Sequence, residues 1–270
     1  MLAKILIDNI GDKDYLCEWG LSVFINHEGK NILLDTGASS KFRENARKMG
    51  IDLEQTDYGV LSHAHYDHAD GLPYFFKLNS KADFYLSENC RENCYGKRWI
   101  FGKYIGIKKG IMKDFANRIK YVSEKTELYR NAYILPHFDG DFTEAAKKAG
   151  LFVKEGRKTV PDNFNHEVSL VLRTEKGLVI LNSCSHAGVE NIIDEVREAF
   201  PEEKIVAYIG GLHLFRSTEA DVLSLAAKVK KLGIQKIYTG HCTGDKAFAI
   251  LKKELGESLV QLRSGLEIEI

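Results

Sequence analysis

The first part of the chain alternates short apolar runs with polar turns. Runs rich in Ile, Leu and Val and bounded by Gly, Asn or Asp predict β-strands, whereas apolar residues three and four positions apart predict helices. We therefore predict strands over residues 3–9, 21–27, 30–37, 57–62 and 83–87, with one helix over 40–49.

The second half of the chain begins with a predicted hairpin. In residues 167–182, EVSLVLRTEKGLVILN, two apolar runs are joined by a turn that contains Gly. After it we predict helices over 188–199, 217–231 and 244–255, strands over 204–209 and 235–239, and one closing strand over 258–270. Hairpins combined with βα units predict a layered α/β sandwich in which helices cover the sheets.

Residues 90–160 differ from the rest because they are basic and rich in aromatic side chains. Residues 91–130 hold 11 Lys and Arg against four Asp and Glu, in a chain whose formal net charge is zero. A long irregular insertion of this kind is typical of a lid or binding loop. It is either a solvated basic surface with its own small core or a cap that attracts an anionic substrate. In the second case Arg98, Trp99 and Lys103 are the candidate substrate contacts.

The balance of charge bears on the partners of this protein. With 38 basic and 38 acidic residues, the whole molecule does not favour nucleic acid or anionic lipid. No apolar window is long enough to cross a membrane, and Asp8 interrupts the N-terminal apolar run before it reaches the length of a signal peptide. The five cysteines are odd in number and irregularly spaced, which predicts reduced thiols in a cytoplasmic protein. The sequence does not indicate an oligomeric state.

Five apolar strands are followed directly by residues that can bind metals. In α/β architectures ligands bind beyond the carboxyl ends of the strands, so these residues are expected to meet at one edge. The residues that follow the five strands are Asp35, His63, the pair Cys184 and His186, His213 and His241.

Residues 61–72, LSHAHYDHADGL, place three histidines and an aspartate within six positions. In an extended segment the side chains of His63 and His65 point the same way, so both can bind one metal ion. Asp67 and His68 on the following turn can reach a second ion. Imidazole and carboxylate ligands suit zinc, iron or manganese. The segment therefore predicts half of a two-metal site.

The pattern His63-x-His65-x-Asp67-His68, preceded by residues 34–37 (LDTG), resembles the metallo-β-lactamase-fold superfamily. The resemblance implies an α/β fold, a four-layer αββα sandwich over residues 1–270, with residues 90–160 as an insertion or cap within it. It also implies a two-metal site at the edges of the sheets. His63, His65 and a later histidine would then bind the first ion.

The resemblance implies that Asp67, His68 and a C-terminal histidine bind the second ion, with an acidic residue bridging the two. Asp35 would be the buried carboxylate that orients a ligand histidine. His241, in IYTGHCTG, matches the C-terminal histidine.

The remaining ligands follow less directly from the family pattern. His166 opens the predicted hairpin and is our third ligand for the first ion, with Glu167 as the alternative. The far end of the hairpin, NSCSHAG, has no aspartate to bridge the ions. Either Cys184 binds there as a thiolate or His186 serves instead, while a small buried thiol is the other interpretation of Cys184.

The segments SCSHAG, GGLHL and GHCTG are similar to a subgroup of metal-dependent hydrolases. These are related to the 7,8-dihydropterin-6-methyl-4-(β-D-ribofuranosyl)aminobenzene-5'-phosphate synthase. This similarity implies a substrate class of pterins and phosphates, with a transferase reaction for some members. His213 would lie near the metals as a general acid or oxyanion donor, or it is a structural histidine. Asp67 would act as a base or orient water as well as bind metal.

We therefore expect an enzyme with two divalent metal ions, zinc foremost, with manganese, iron or magnesium as alternatives. The ions would activate water or a phosphate leaving group on an anionic, phosphorylated small molecule, in a hydrolase or a dihydropterin-phosphate-type synthase. One alternative is a nuclease or phosphodiesterase of the same fold. Another is a metal-binding, redox-sensing protein without hydrolytic turnover, in which Cys184 and Cys242 lie near the metals.

Overall fold

The computed structural model describes residues 1–98, 101–138 and 140–270, with the side chains of Arg98 and Phe101 left out. Its strands are β1 Leu2–Ile7, β2 Ser22–His27, β3 Lys30–Leu34, β4 Tyr58–Val60, β5 Asp83–Ser87, β6 Cys94–Arg98, β7 Phe101–Tyr104, β8 Ile119–Val122, β9 Thr126–Tyr129, β10 Ala132–Pro136, β11 Leu151–Glu155, β12 Lys158–Pro161, β13 Val168–Thr174, β14 Gly177–Leu181, β15 Ile205–Ile209, β16 Lys236–Thr239, β17 Leu259–Gln261 and β18 Glu267–Glu269. Its α-helices are α1 Lys41–Lys48, α2 Tyr66–Ala69, α3 Leu72–Leu78, α4 Ile111–Asp114, α5 Thr143–Ala149, α6 Val189–Ala199, α7 Glu219–Leu232 and α8 Asp245–Leu255.

Two seven-stranded sheets form the centre of the molecule. The first has the order β18-β1-β2-β3-β4-β5-β8, and the second has the order β17-β16-β15-β14-β13-β10-β9. Neighbouring strands β3, β4, β5 and β8 are parallel, as are β14, β15, β16 and β17. Because parallel strands end at the same edge, the segments that follow them are brought together.

Three groups of buried apolar side chains define the layers. Ile5, Leu170 and Ile209 belong to the group between the two sheets. Phe42 of α1 packs with Phe84 of β5 on the outer side of the first sheet, and α6 to α8 pack in the same way on the second sheet. Each fully buried side chain of this size stabilises the fold by roughly 1.5–3 kcal/mol. The order helix, sheet, sheet, helix confirms the predicted αββα sandwich.

Residues 90–160 contribute to all three sheets of the protein. Strand β8 extends the first sheet, and β9 and β10 extend the second. Strands β6, β7, β11 and β12 form a third sheet of four strands. The role of the segment as an insertion and cap remains a prediction.

The predicted closing strand over 258–270 is wrong, because the chain divides there between the two main sheets. Strand β17 pairs with β16 in the second sheet, and β18 pairs with β1 in the first. Gly265, at φ +94°, lies between them in a conformation that L side chains rarely adopt. Alternating hydrophobicity indicates that a segment is extended, but it does not indicate which sheet each part of the segment joins. Within the described residues no helix is long and apolar enough to cross a membrane.

Candidate metal centre

The segments that follow β3, β4, β14, β15 and β16 meet at one edge of the sandwich. Helix α2, which follows β4, carries His68, whose Nε2 lies 3.1 Å from Nε2 of His241 beyond β16. The sulfur of Cys184, beyond β14, lies 3.4 Å from the same His68 nitrogen. The structure thus brings together side chains that are more than 170 positions apart in the sequence.

Four non-glycine residues at this edge have a left-handed backbone. They are Asp35 (φ +57°), Ser185 (φ +54°), His213 (φ +50°) and His241 (φ +47°). Each lies within four residues of the end of a strand. Conformations of this kind cost about 1–3 kcal/mol each and are found at functional sites when the surroundings hold them in place.

Asp35 fixes the orientation of the histidine loop. Its carboxylate accepts hydrogen bonds from the Ser62 backbone N–H (2.7 Å), the Ser62 hydroxyl (2.6 Å) and Nδ1 of His68 (2.7 Å). The Ser62 oxygen in turn lies 2.8 Å from Nδ1 of His63. Both histidines therefore carry their proton on Nδ1, which leaves Nε2 free to bind a cation. These contacts are of the kind that the sequence resemblance implies for Asp35, and its orienting role toward a bound metal remains a prediction.

Asn9 orients His241 in the same way and was missed by the sequence analysis. Its Oδ1 lies 3.2 Å from Nδ1 of His241, and its Nδ2 donates to the His241 carbonyl oxygen at 3.0 Å. Asn9 lies just beyond the end of β1, so the rule that found the other strand ends also applies to it. The amide leaves Nε2 of His241 as the free nitrogen.

His63, His65 and His186 form the first group of candidate ligands. They each offer a ligand atom within 4.8 Å of the others, and their ring centroids are 4.7 to 4.9 Å apart. Burial lowers the pKa of all three well below the usual value, and neighbouring imidazoles lower it further. Their rings are therefore neutral at neutral pH, which is the form that binds metals.

Asp67, His68, His241 and Cys184 form the second group. Oδ2 of Asp67 lies 3.7 Å from Nε2 of His68 and 3.5 Å from Nε2 of His241. Burial lowers the pKa of His68, but the Asp67 and Asp35 carboxylates outweigh it and raise that pKa above its usual value. Burial lowers the pKa of His241 to about 3.

Cys184 lies between the two groups. Its sulfur is within 4.8 Å of ligand atoms of His63, His68, His186, His213 and His241. Burial raises the pKa of this thiol. A bound cation reverses that effect, because a thiol that coordinates a metal loses its proton. Binding of Cys184 in place of a bridging carboxylate remains a prediction.

His166 lies beside this arrangement with both ring nitrogens in hydrogen bonds. Its Nδ1 accepts the Ala64 N–H at 3.2 Å, and its Nε2 lies 3.1 Å from Oδ2 of Asp162. Glu167 accepts the backbone N–H groups of His186 (2.9 Å) and Ala187 (2.8 Å). Assignment of His166 or Glu167 as the third ligand remains a prediction, and the geometry favours His186 in that position.

A metal ion fits the free nitrogen atoms of this centre. Among the described residues, the buried ring nitrogens without a hydrogen-bond partner are Nε2 of His63, Nε2 of His65, both nitrogens of His186 and Nδ1 of His213. Each unpaired buried polar atom costs about 1–3 kcal/mol. Cations coordinated between these rings would remove that cost.

A cavity of about 460 Å³ opens above the centre. His65, Asp67, Cys184, His186, His213 and His241 line its floor, and Trp19, Tyr66, Lys97, Lys103, Phe215 and Arg216 line its walls. Lys103 is the one sequence-predicted substrate contact that the structure places here. Trp99 and the side chain of Arg98 lie outside the described residues.

Most of the chain matches a known protein family. Residues 20–241 match the family model of the metallo-β-lactamase superfamily. The chain belongs to this superfamily. Its members typically depend on divalent metal ions, in keeping with the free imidazole nitrogens of the centre.

Similar proteins within the superfamily point to an enzyme, either a hydrolase or a synthase. The chain is 29% identical over 258 residues to the 7,8-dihydropterin-6-methyl-4-(β-D-ribofuranosyl)-aminobenzene-5'-phosphate synthase of Methanocaldococcus jannaschii, covering 91% of this chain and 88% of that protein. The crystal structure of Tm1679, a metal-dependent hydrolase of the β-lactamase superfamily, superimposes with a TM-score of 0.86 at 30% identity, covering 100% and 99% of the two chains. A diphosphatase of the PhnP family shares the fold at 16% identity, with a TM-score of 0.57 and coverage of 100% and 97%.

Proposed function

We propose that this chain is a two-metal enzyme that acts on a phosphorylated small molecule. The observation that carries the proposal is the central position of the Cys184 sulfur between two sets of free ligand atoms. The first ion would bind His63, His65 and His186, the second would bind Asp67, His68 and His241, and Cys184 would be shared. Imidazole and thiolate ligands together favour zinc over magnesium or manganese.

The walls of the cavity support an anionic substrate. Lys97, Lys103 and Arg216 contribute three positive charges, and within the described part of the chain none of them forms an ion pair with an acidic side chain. Such unpaired cations at the mouth of a cleft attract anions. A phosphate group on the substrate would neutralise the positive charge of these three side chains.

Two aromatic rings that also line the cavity favour a substrate that carries a planar ring. Trp19 and Phe215 are 42% and 40% exposed, and their ring centroids lie 5.3 Å apart in an edge-to-face arrangement. Exposed aromatic faces of this kind bind flat ligands. A pterin bearing a phosphate or diphosphate combines the two properties, and the synthase from M. jannaschii supports that class.

The bound ions would supply Lewis acidity and activate water or a diphosphate leaving group. Asp67 holds a buried carboxylate at the floor of the cavity, where it can orient the attacking group. Nδ1 of His213 lacks a hydrogen-bond partner among the described residues, and the His213 ring lies 4.3 Å from that of His186. From this position Nδ1 can donate a proton to the departing oxygen. Lys97 and Lys103 would bind the phosphate through its negative charge.

The test combines metal analysis with a substrate panel. We expect purified protein to contain two divalent ions per chain and to release phosphate or diphosphate from a pterin-methyl diphosphate or a simple phosphoester. Elemental mass spectrometry and a phosphate-release assay measure the two properties. A folded protein that binds no divalent ion would overturn the proposal, as would cleavage of RNA without turnover of any small phosphate.

Alanine at the two cavity lysines should weaken substrate binding. Each charge lost near a phosphate is worth about 1 kcal/mol in a solvated setting, so Lys97→Ala and Lys103→Ala should each raise KM roughly fivefold. The effect should shrink at high salt because the interaction is screened. Steady-state kinetics at two ionic strengths measures both changes.

Lys253→Ala is the control for this pair, since Lys253 is exposed on α8 and does not line the cavity. It should leave KM unchanged at both salt concentrations. Equal effects of all three substitutions would show that the cavity lysines do not contact the substrate.

A further inference from the structure

Two cysteine thiols lie side by side at the floor of the cavity. Cys184 follows β14 and Cys242 follows β16, and only β15 separates these strands in the second sheet. Both side chains are buried, and their sulfur atoms lie within 4.8 Å of one another. The Cys242 sulfur also lies 3.6 Å from the Cys184 carbonyl oxygen.

Gly211, in the turn after β15, has no side chain to occupy the space beside the Cys242 sulfur. Gly211 beyond β15 approaches so closely that a Cβ atom there would lie 2.4 Å from the sulfur of Cys242 and 2.8 Å from the carbonyl oxygen of Ser183. Only glycine fits at this position, because any other residue would displace the Cys242 sulfur. A disulfide has a sulfur–sulfur distance of about 2.0 Å, so the two side chains would move toward each other to form one.

The pair also differs from the remaining cysteines in its access to solutes. Cys184 and Cys242 both line the cavity, whereas Cys17, Cys90 and Cys94 do not. Cys90 and Cys94 are buried against His166 instead. A small oxidant that enters the cavity therefore meets the first pair.

We infer that Cys184 and Cys242 form a site of reversible oxidation, in which a hydroperoxide converts the two thiols to a disulfide. The backbone N–H of His213 donates to the Cys242 sulfur at 3.3 Å and holds it at the floor of the cavity. That sulfur takes one oxygen from hydrogen peroxide and becomes a sulfenic acid, releasing one water. The Cys184 sulfur then displaces a second water and forms the S–S bond. Two thiols are oxidised, one peroxide is reduced and two waters leave.

The effect of this oxidation on activity rests on the proposed function, in which Cys184 binds the metals. A sulfur in a disulfide has lost its thiolate charge and is a poor metal ligand. Oxidation should therefore release metal and stop turnover, and a dithiol reductant with added metal should restore both.

The experiment treats the intact holoenzyme with hydrogen peroxide and maps its disulfides. Non-reducing proteolysis and mass spectrometry should find a cross-linked peptide pair containing Cys184 and Cys242, lighter by two hydrogen atoms than the reduced pair. Cys242→Ser should abolish that pair, and Cys90→Ser should leave it unchanged. Because the cross-link is mapped in the wild-type protein, the result does not depend on how well a variant folds.

The outcomes separate the two proposals. Peroxide-treated wild type in which residues 184 and 242 stay uncross-linked would overturn the oxidation site and leave the two-metal enzyme standing. Cross-linked protein that keeps both ions would overturn the assignment of Cys184 as a metal ligand and leave the oxidation site standing. Loss of metal in proportion to the cross-link, reversed by dithiothreitol and zinc, supports both.

Discussion

The His186→Ala variant is expected to bind one metal ion where the wild type binds two, and its kcat/KM should fall roughly a thousandfold. The fall follows because an ion that stabilises transition-state charge contributes several kcal/mol, and each 1.4 kcal/mol is a factor of ten. His186 is the third member of the group formed with His63 and His65, and neither of its ring nitrogens has a hydrogen-bond partner among the described residues. Elemental analysis beside steady-state kinetics measures the two effects.

His166→Ala is the matched control, since both histidines are buried and lie close to His63 or His65. The nitrogens of His166 are occupied by Ala64 and Asp162, so its loss should lower the free energy of unfolding while both ions remain bound. If instead His166→Ala loses one ion and His186→Ala keeps both, the third ligand is His166, the residue that the sequence favours.

The second large effect is expected from Asp35→Asn. The amide keeps the shape of the carboxylate but places an N–H₂ group opposite either the Ser62 hydroxyl and Nδ1 of His68 or the Ser62 backbone N–H. In the first orientation His68 must move its proton to Nε2, the nitrogen that faces the proposed second ion, and in the second orientation two N–H donors oppose each other. Affinity for metal should fall by about 10- to 100-fold, as happens when the partner of a ligand histidine is removed. Competition with a chromogenic chelator measures the change.

Asp162→Asn provides the control for that substitution. Asp162 is an equally buried carboxylate paired with a histidine, at 3.1 Å from His166. Both variants should lower the free energy of unfolding in urea by about 1–3 kcal/mol, because each leaves a buried donor mispaired. Only Asp35→Asn should also weaken metal binding. If the two variants lose metal affinity equally, Asp35 does not act through His68.

The regular elements were predictable because their signals are local. The predicted hairpin over 167–182 corresponds to β13 and β14, and the predicted strand over 83–87 coincides with β5. Side chains alternate along a strand and repeat along a helix whatever the rest of the chain does. The same signals failed over 258–270, where two short strands join different sheets. Pairing depends on partners far away in the sequence, and alternation does not identify them.

The candidate site, like the fold, was predictable only in part. The sequence placed His63, His65, Asp67 and His68 on one loop and put His241 at the end of a later strand, because dense ligand residues and strand ends can be read in order. It did not identify Asn9, whose role consists of two contacts with a residue 232 positions away.

What the sequence by itself determined is the family, the layered fold and the chemical character of the site. The tertiary structure alone decided which ring nitrogens are free. It placed His166 in hydrogen bonds with Ala64 and Asp162, left His186 beside His63, and brought the Cys184 sulfur between the two groups. A histidine binds metal only where at least one of its ring nitrogens has no other partner. That condition is set by neighbours from distant parts of the chain, and no local pattern of residues records it.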